Sequence, residues 1–131
     1  MTKLEISTGG APAPGGAYSQ GIAANGFVYT AGMGPHDPAS GRVLGETVEE
    51  QTAQTLRNLR AVLAVHELDL DDAVKVTVHL ANLERDFAGF NRTYESWFTP
   101  PYPARTTVGS TLAGILVEID LVAALPAGRP G

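Results

Sequence analysis

The sequence predicts an α+β fold of two layers, a mixed β-sheet with two helices on one face. Two segments, from Val48 to Leu63 and from Phe87 to Phe98, repeat apolar residues at helical spacing. Between them Val74, Val76, Val78 and Leu80 alternate with Lys75, Thr77 and His79, which is the two-residue period of a strand. Helices separated by a single strand cannot return on a simple hairpin, so the strands around them join one mixed sheet.

The elements follow in order. After Leu4-Glu5-Ile6, the stretch Gly9 to Gly16 holds four Gly and two Pro in eight residues and reads as an irregular connection. Asn25-Gly26 lies between Tyr18–Ala24 and Phe27–Gly32, and both positions accept positive φ, so a two-residue hairpin is expected. Gly34-Pro35-His36-Asp37-Pro38 and Ser40-Gly41 supply turns before a short Val43-Leu44 piece. Thr47-Val48-Glu49-Glu50 is a capping box that opens the first helix. Val48, Thr52, Leu56, Leu59 and Leu63 then form one buried stripe, ending near His66. An acidic turn, Asp69 to Asp72, precedes the alternating strand. Asn82 caps a second helix whose Phe87, Phe90, Tyr94, Trp97 and Phe98 share a face until Pro100-Pro101 stops it. Two more strands, Ala104–Thr111 and Leu116–Leu125, are expected on either side of a tight Ala113-Gly114 connection.

Alternation also predicts the far face of the sheet. With Val117, Ile119, Leu121 and Ala123 beneath the helices, Leu116, Glu118, Asp120 and Val122 point away, as would Arg105 and Thr107 if Val108 faces the helices. A face mixing isolated carboxylates, an arginine and apolar side chains suits a subunit interface better than open water, so a homo-oligomer is expected.

With 131 residues, the chain is expected to form one domain over residues 1–131. Hydrophobic residues at 44% and charged residues at 18% supply a core and argue against disorder. A net charge of −5 disfavours a surface that tracks nucleic acid or an anionic membrane. The absence of cysteine excludes disulfides, thiolate metal sites and cysteine nucleophiles, and agrees with a reducing compartment. Met1-Thr2-Lys3-Leu4-Glu5 has no apolar signal core, and Glu118 and Asp120 interrupt the late apolar stretch, so a cytoplasmic protein without a membrane span is expected.

Arg105 is the only charged residue in the twenty-two between Glu95 and Glu118, and it sits in a Pro-rich setting at the start of a strand. Its planar fork matches a small carboxylate ligand. An internal ion pair with Glu118 or Asp120 on the next strand is the alternative. Glu118, inside the apolar run Ile115 to Val122, needs a partner, a proton or a wet site. It is a candidate general base for water, or simply the partner of Arg105. His36, His66 and His79 lack ligand spacing, so no metal site is expected. Neither a nucleophile elbow nor a phosphate loop occurs.

Ala11 to Gln20, Glu49-Glu50-Gln51-Thr52 through Asn58-Leu59, and Asp72 to Val78 form one set of segments, and Phe87-Ala88-Gly89-Phe90-Asn91-Arg92-Thr93-Tyr94, Pro103-Ala104-Arg105-Thr106-Thr107-Val108 and Val117-Glu118-Ile119-Asp120 complete it. Together they resemble the RidA/YjgF family of reactive imine and enamine deaminases, a likeness that runs from about Ala11 to Ala124. The resemblance implies a chorismate-mutase-like fold and a homotrimer with three interface sites. It also implies cofactor-free hydrolysis of 2-imino or 2-enamino acids, of the 2-aminoacrylate/2-iminopropanoate type, to 2-oxo acids and ammonia. Arg105 matches the family's carboxylate-binding arginine, Glu118 the carboxylate that assists water, and Tyr18 and Asn91 pocket residues. Ala31, in Thr30-Ala31-Gly32-Met33, replaces a Ser of close relatives and removes a pocket hydroxyl, while Thr107 stands where many members carry Cys. The connection at 111–114 is shorter and lacks the usual Leu-Pro. The rival reading is a non-enzymatic module that binds small carboxylates or acts like a chaperone. A ribonuclease activity is disfavoured by the net charge.

Overall fold

A computed structural model describes residues 2–127. Its strands are β1 (Leu4–Ile6), β2 (Gly21–Ala24), β3 (Phe27–Thr30), β4 (Ala73–Leu80), β5 (Ala104–Gly109) and β6 (Val117–Ala124), and its helices are α1 (Val48–Ala64) and α2 (Leu83–Glu95). The six strands form one mixed sheet in the order β1-β2-β3-β6-β4-β5, with both helices on one face, as the periodicities predict.

Local chemistry accounts for the ends of these elements. Asn25 and Gly26 have φ of 56° and 82°, the paired positive values that let a two-residue turn match the twist of β2 and β3. At the start of α1, Thr47 Oγ1 accepts from the Glu50 amide at 3.2 Å, and Glu50 Oε1 accepts from the Thr47 amide at 3.2 Å. Thr47→Ala removes one half of this box and is expected to lower stability by about 1 kcal/mol, read as a shift in the denaturant midpoint with unchanged slope. Asn82 Oδ1 accepts from the Arg85 amide at 3.1 Å and opens α2.

Two crossovers put the helices on the same face. Strands β4 and β5 pair in parallel, which a hairpin cannot achieve, and α2 supplies the crossover. Strands β3 and β4 are both antiparallel to β6, so α1 carries the chain from one side of β6 to the other. Leu56, Leu59, Val62 and Leu63 of α1 and Phe90 of α2 are fully buried against Val28, Val76, Val78, Ile119 and Leu121.

Three local expectations are corrected. β5 and β6 are not neighbours, because β4 lies between them; residues 110–116 cross its end, where the Ser110 amide bonds the Leu80 carbonyl and the Ala81 amide the Leu116 carbonyl. A bulge between Ala73 and Lys75 turns Val74 out of the core, so the buried side of β4 runs Ala73, Val76, Val78, Leu80. Finally, α2 ends at Glu95, so Trp97 and Phe98 lie beyond it, and Phe87 is exposed while Phe90, Tyr94 and Phe98 are buried. Trp97, partly buried against the core, also meets the guanidinium groups of Arg57 and Arg60, at 5.6 and 4.9 Å from its ring.

The far face of the sheet carries Tyr29, Lys75, Thr77, His79, Thr106, Val108, Glu118 and Asp120, as the strand registers require. Tyr29 and Val108 are exposed there, the mixed surface expected of an interface. Burial pushes the Asp120 carboxyl above its ordinary pKa, while His79 and Lys75 pull it back.

Candidate functional site

Arg105 lies on the helix face of the sheet, because its register partner on β4 is the buried Val76. This reverses the expected orientation of β5. Val108 pairs with His79 and faces away, while Arg105 and Thr107 point toward α2. As an edge strand β5 has no neighbour to shield the guanidinium, and the aromatic side chains around α2 do so instead. The Arg105 guanidinium carbon stands 4.7 Å from the Tyr94 ring centre, 5.3 Å from Phe90 and 5.9 Å from Phe87. One nitrogen, Nη2, donates to Asn91 Oδ1 at 2.9 Å. Asn91, Tyr94, Glu95, Tyr102, Pro103 and Arg105 line a hollow of about 320 Å³. Burial pushes the Tyr94 phenol up to about 12 against the opposing pull of Arg105, so this wall stays neutral.

A second hollow, of about 480 Å³, is bordered by Glu118, Tyr18, Gly32 and the turn from Gly34 to Gly41. The Glu118 carboxylate rests on bare backbone: a Cβ added at Gly32 would stand 2.8 Å from its Oε2. Tyr18 is exposed, and its hydroxyl accepts from the Gly15 amide at 3.0 Å.

Buried amides hold the loops around this hollow. Gln20 Nε2 donates to the carbonyls of Thr8, Ala11 and Pro12, and its Oε1 accepts from the Thr8 amide, so one side chain organises the Gly-rich connection. Asn58 Nδ2 donates to the Gly34 and His36 carbonyls at 2.9 Å each. Gln51 accepts from the Leu116 amide at 2.8 Å and donates to the Gly45 carbonyl at 3.1 Å, which ties the entry of β6 to α1. These are obligatory backbone groups satisfied by side chains where secondary structure stops. Reading the helix for its apolar stripe passes over Gln51 and Asn58; the family-like run from Glu49 to Leu59 was the one signal that contained them.

The structure therefore brings Arg105 together with Asn91, and Glu118 together with Tyr18, but keeps the two pairs apart. Arg105 stands level with Val76 and Leu121, and Glu118 lies three residues from Leu121 on a strand two places away. Strand spacings put their Cα atoms roughly 14 Å apart, with the side chains on opposite faces. An Arg105–Glu118 ion pair within the chain is excluded, as is one with Asp120, which shares the far face with Thr77. Arg85–Asp86 and Arg92–Glu49 form ion pairs, and Arg105 pairs with no carboxylate among the described residues. Ala31 follows β3, its amide donating to the Gln20 carbonyl at 2.9 Å, and Thr107 sits opposite Val78. Neither borders the Arg105 hollow or the Glu118 hollow. Among the described residues no group of three or more His, Asp or Glu side chains is placed to hold a metal ion, and no helix is long and apolar enough to cross a membrane.

Comparison with known proteins shows what the whole chain resembles. A profile of the family described as endoribonuclease L-PSP matches residues 8–125. The chain is 44% identical over 130 residues to the RutC family protein slr0709 of Synechocystis sp., covering 96% of this chain and 99% of that one. It is 38% identical over 127 residues to the chloroplastic Reactive Intermediate Deaminase A of Arabidopsis thaliana, covering 95% of this chain and 67% of the relative. Among solved structures, Escherichia coli TdcF with bound serine superposes with a TM-score of 0.86 at 29% identity, covering 94% of this chain and 99% of that one.

Proposed function

Since the chain belongs to the RidA/YjgF family, the group described as endoribonuclease L-PSP that includes reactive intermediate deaminases, we propose that it hydrolyses reactive 2-imino and 2-enamino acids to 2-oxo acids and ammonia. The observation that carries this reading is Arg105: a guanidinium in a small hollow, hydrogen-bonded to a neutral amide and without an ion-pair partner among the described residues. A half-buried charge with only a neutral amide beside it suits an anion, and the planar fork suits a carboxylate. The serine bound to TdcF is a ligand of that class.

The two hollows complete one another only between copies. In our reading the protein is a homotrimer in which the mixed far face of each sheet is covered, and the Arg105 hollow of one copy meets the Glu118 hollow of the next. Arg105 and Asn91 hold the substrate carboxylate; Tyr18 and Glu118 border the reacting carbon. Ala31 and Thr107 take their places as substrate contacts at the seam.

The chemistry needs little beyond orientation, because a protonated imine is already electrophilic. Glu118 takes a proton from water as its oxygen bonds to the imine carbon. The resulting carbinolamine receives that proton on nitrogen. The hydroxyl proton passes to Glu118 as the C–N bond breaks and the carbonyl forms, and Glu118 returns to its carboxylate by giving that proton to the departing ammonia. Protonated imine and water are consumed and 2-oxo acid and ammonium released, with no oxidant, reductant or cofactor. A cytoplasmic setting, in keeping with the lack of cysteine, belongs to the same reading.

The test is release of 2-oxo acid from imines generated in the cuvette by an amino-acid oxidase. Glu118→Gln keeps the shape and removes the base, so turnover is expected to fall at least ~10-fold while affinity for the 2-oxo acid product changes less than about 2-fold. Unchanged turnover with a lowered melting temperature would remove Glu118 from the mechanism. Product binding without turnover in the wild-type protein would favour the binding-module reading. RNA cleavage, which the charge of −5 disfavours, is checked in parallel.

A further inference from the structure

We propose that His36 makes this site select substrates whose side chain carries a hydrogen-bonding group, a hydroxyl, amide or carboxylate, over apolar ones of the same shape; the inference rests on the reading above and names its substrate class.

The argument begins with two glycines. Met33 pairs with Ile119, its amide donating to the Ile119 carbonyl at 2.8 Å and its carbonyl accepting from the Ile119 amide at 2.9 Å. Met33 is buried on the helix side, so Gly32 and Gly34 face the other way, roughly 7 Å apart by extended-chain geometry. Neither has a side chain, and each is covered by a functional group. The Glu118 carboxylate lies over Gly32. The His36 imidazole lies over Gly34 beside Ile115, where an added Cβ would stand 2.9 Å from His36 Cε1, 3.0 Å from its Nδ1 and 2.9 Å from Ile115 Cδ1. The glycine pair is thus a floor carrying a carboxylate and an imidazole in one hollow.

The imidazole is held in place but not consumed. Asn58, itself buried, grips the His36 carbonyl, and the backbone pairs with Val43. Among the described residues the ring nitrogens bond no protein group. The nearby polar side chains bond other groups: Asp37 Oδ2 accepts from the Ser40 amide and hydroxyl, and the Tyr18 hydroxyl accepts from the Gly15 amide. With the reacting carbon beside Glu118, a spacing of roughly 7 Å places the imidazole against substrate atoms three to four bonds further along. A polar group there replaces the water that solvates the ring. An apolar group displaces that water and leaves the nitrogens unpaired, which is the asymmetry by which a hydrogen-bonding site rejects an analogue.

Asparagine and leucine have side chains of the same branched shape, so the full chain is assayed on the imines an amino-acid oxidase makes from each. Wild-type protein is expected to favour the asparagine-derived imine. His36→Leu should lower kcat/KM for that imine ~10-fold and change the leucine-derived one less than about 2-fold, while His36→Gln retains most of the preference. Equal losses on both imines, or no preference in the wild-type protein, would overturn the assignment. Calorimetric binding of 2-oxosuccinamate and 4-methyl-2-oxopentanoate to the wild-type and His36→Leu proteins reads the same preference without turnover. A protein that hydrolyses neither imine yet keeps a His36-dependent preference in binding loses the deaminase reading and keeps this one, and absence of a preference in binding overturns it.

Discussion

Arg105→Lys is expected to lose nearly as much imine hydrolysis as Arg105→Ala, each at least ~10-fold and equivalent to about 1.4 kcal/mol of transition-state stabilisation. The guanidinium is shaped for its place in three ways. It lies 4.7 Å from the Tyr94 ring centre, donates through one nitrogen to Asn91 Oδ1, and lines the hollow with further donors to spare. An ammonium keeps the charge, but its compact, strongly hydrated head loses both the aromatic stacking and the two parallel bonds to a carboxylate. The fold should persist in both variants, because Arg105 sits on an edge strand and pairs with no carboxylate in the described chain. Steady-state kinetics on an imine generated in place, with a thermal melt of each variant, checks this. Turnover at the wild-type level in Arg105→Ala would end its part in carboxylate binding.

Mixing two inactive variants should restore activity. If each site takes Arg105 from one copy and Glu118 from the next, Arg105→Ala and Glu118→Gln subunits co-refolded in equal amounts form intact sites at about one quarter of the interfaces, by random assortment in a closed ring. Activity is expected to rise from the residual level of either variant to roughly a quarter of the wild-type value. Light scattering coupled to size exclusion should give three times the chain mass. A preparation that forms mixed trimers yet stays inactive would place both groups in one copy's site, against the strand register, and a monomeric mass would remove the shared site altogether.

Much of the fold was legible because it depends on local chemistry. Asn25-Gly26 specifies its turn through backbone conformations few other residue pairs accept. Thr47 and Glu50 mark a helix start because each satisfies the other's free amide. The alternation from Val76 to Leu80 survives intact, since a strand has only two faces. It fails at Val74, where a bulge adds one residue and no residue type announces it. Of the residues expected at the site, Arg105 and Asn91 share one hollow and Glu118 and Tyr18 another, while Ala31 and Thr107 border neither. The side chains that hold its loops, Gln20, Gln51 and Asn58, were not read from the residues, because an amide's partners are backbone groups distant in the chain.

The sequence by itself determined the element types, the two-layer arrangement, the mixed far face and the isolation of Arg105 among uncharged neighbours. Each follows from period, turn chemistry or composition, which act within a few residues. Tertiary structure alone decided that β4 separates β5 from β6 and that Arg105 shares its face with Val76 rather than with Glu118. Register is a long-range property: shifting a strand by one residue leaves its composition unchanged and sends every side chain to the opposite face. On β5, where Val108 and Thr107 compete for the covered side, only pairing with β4 and packing against α2 settle which residue turns inward, and that choice parts the two charges into separate hollows.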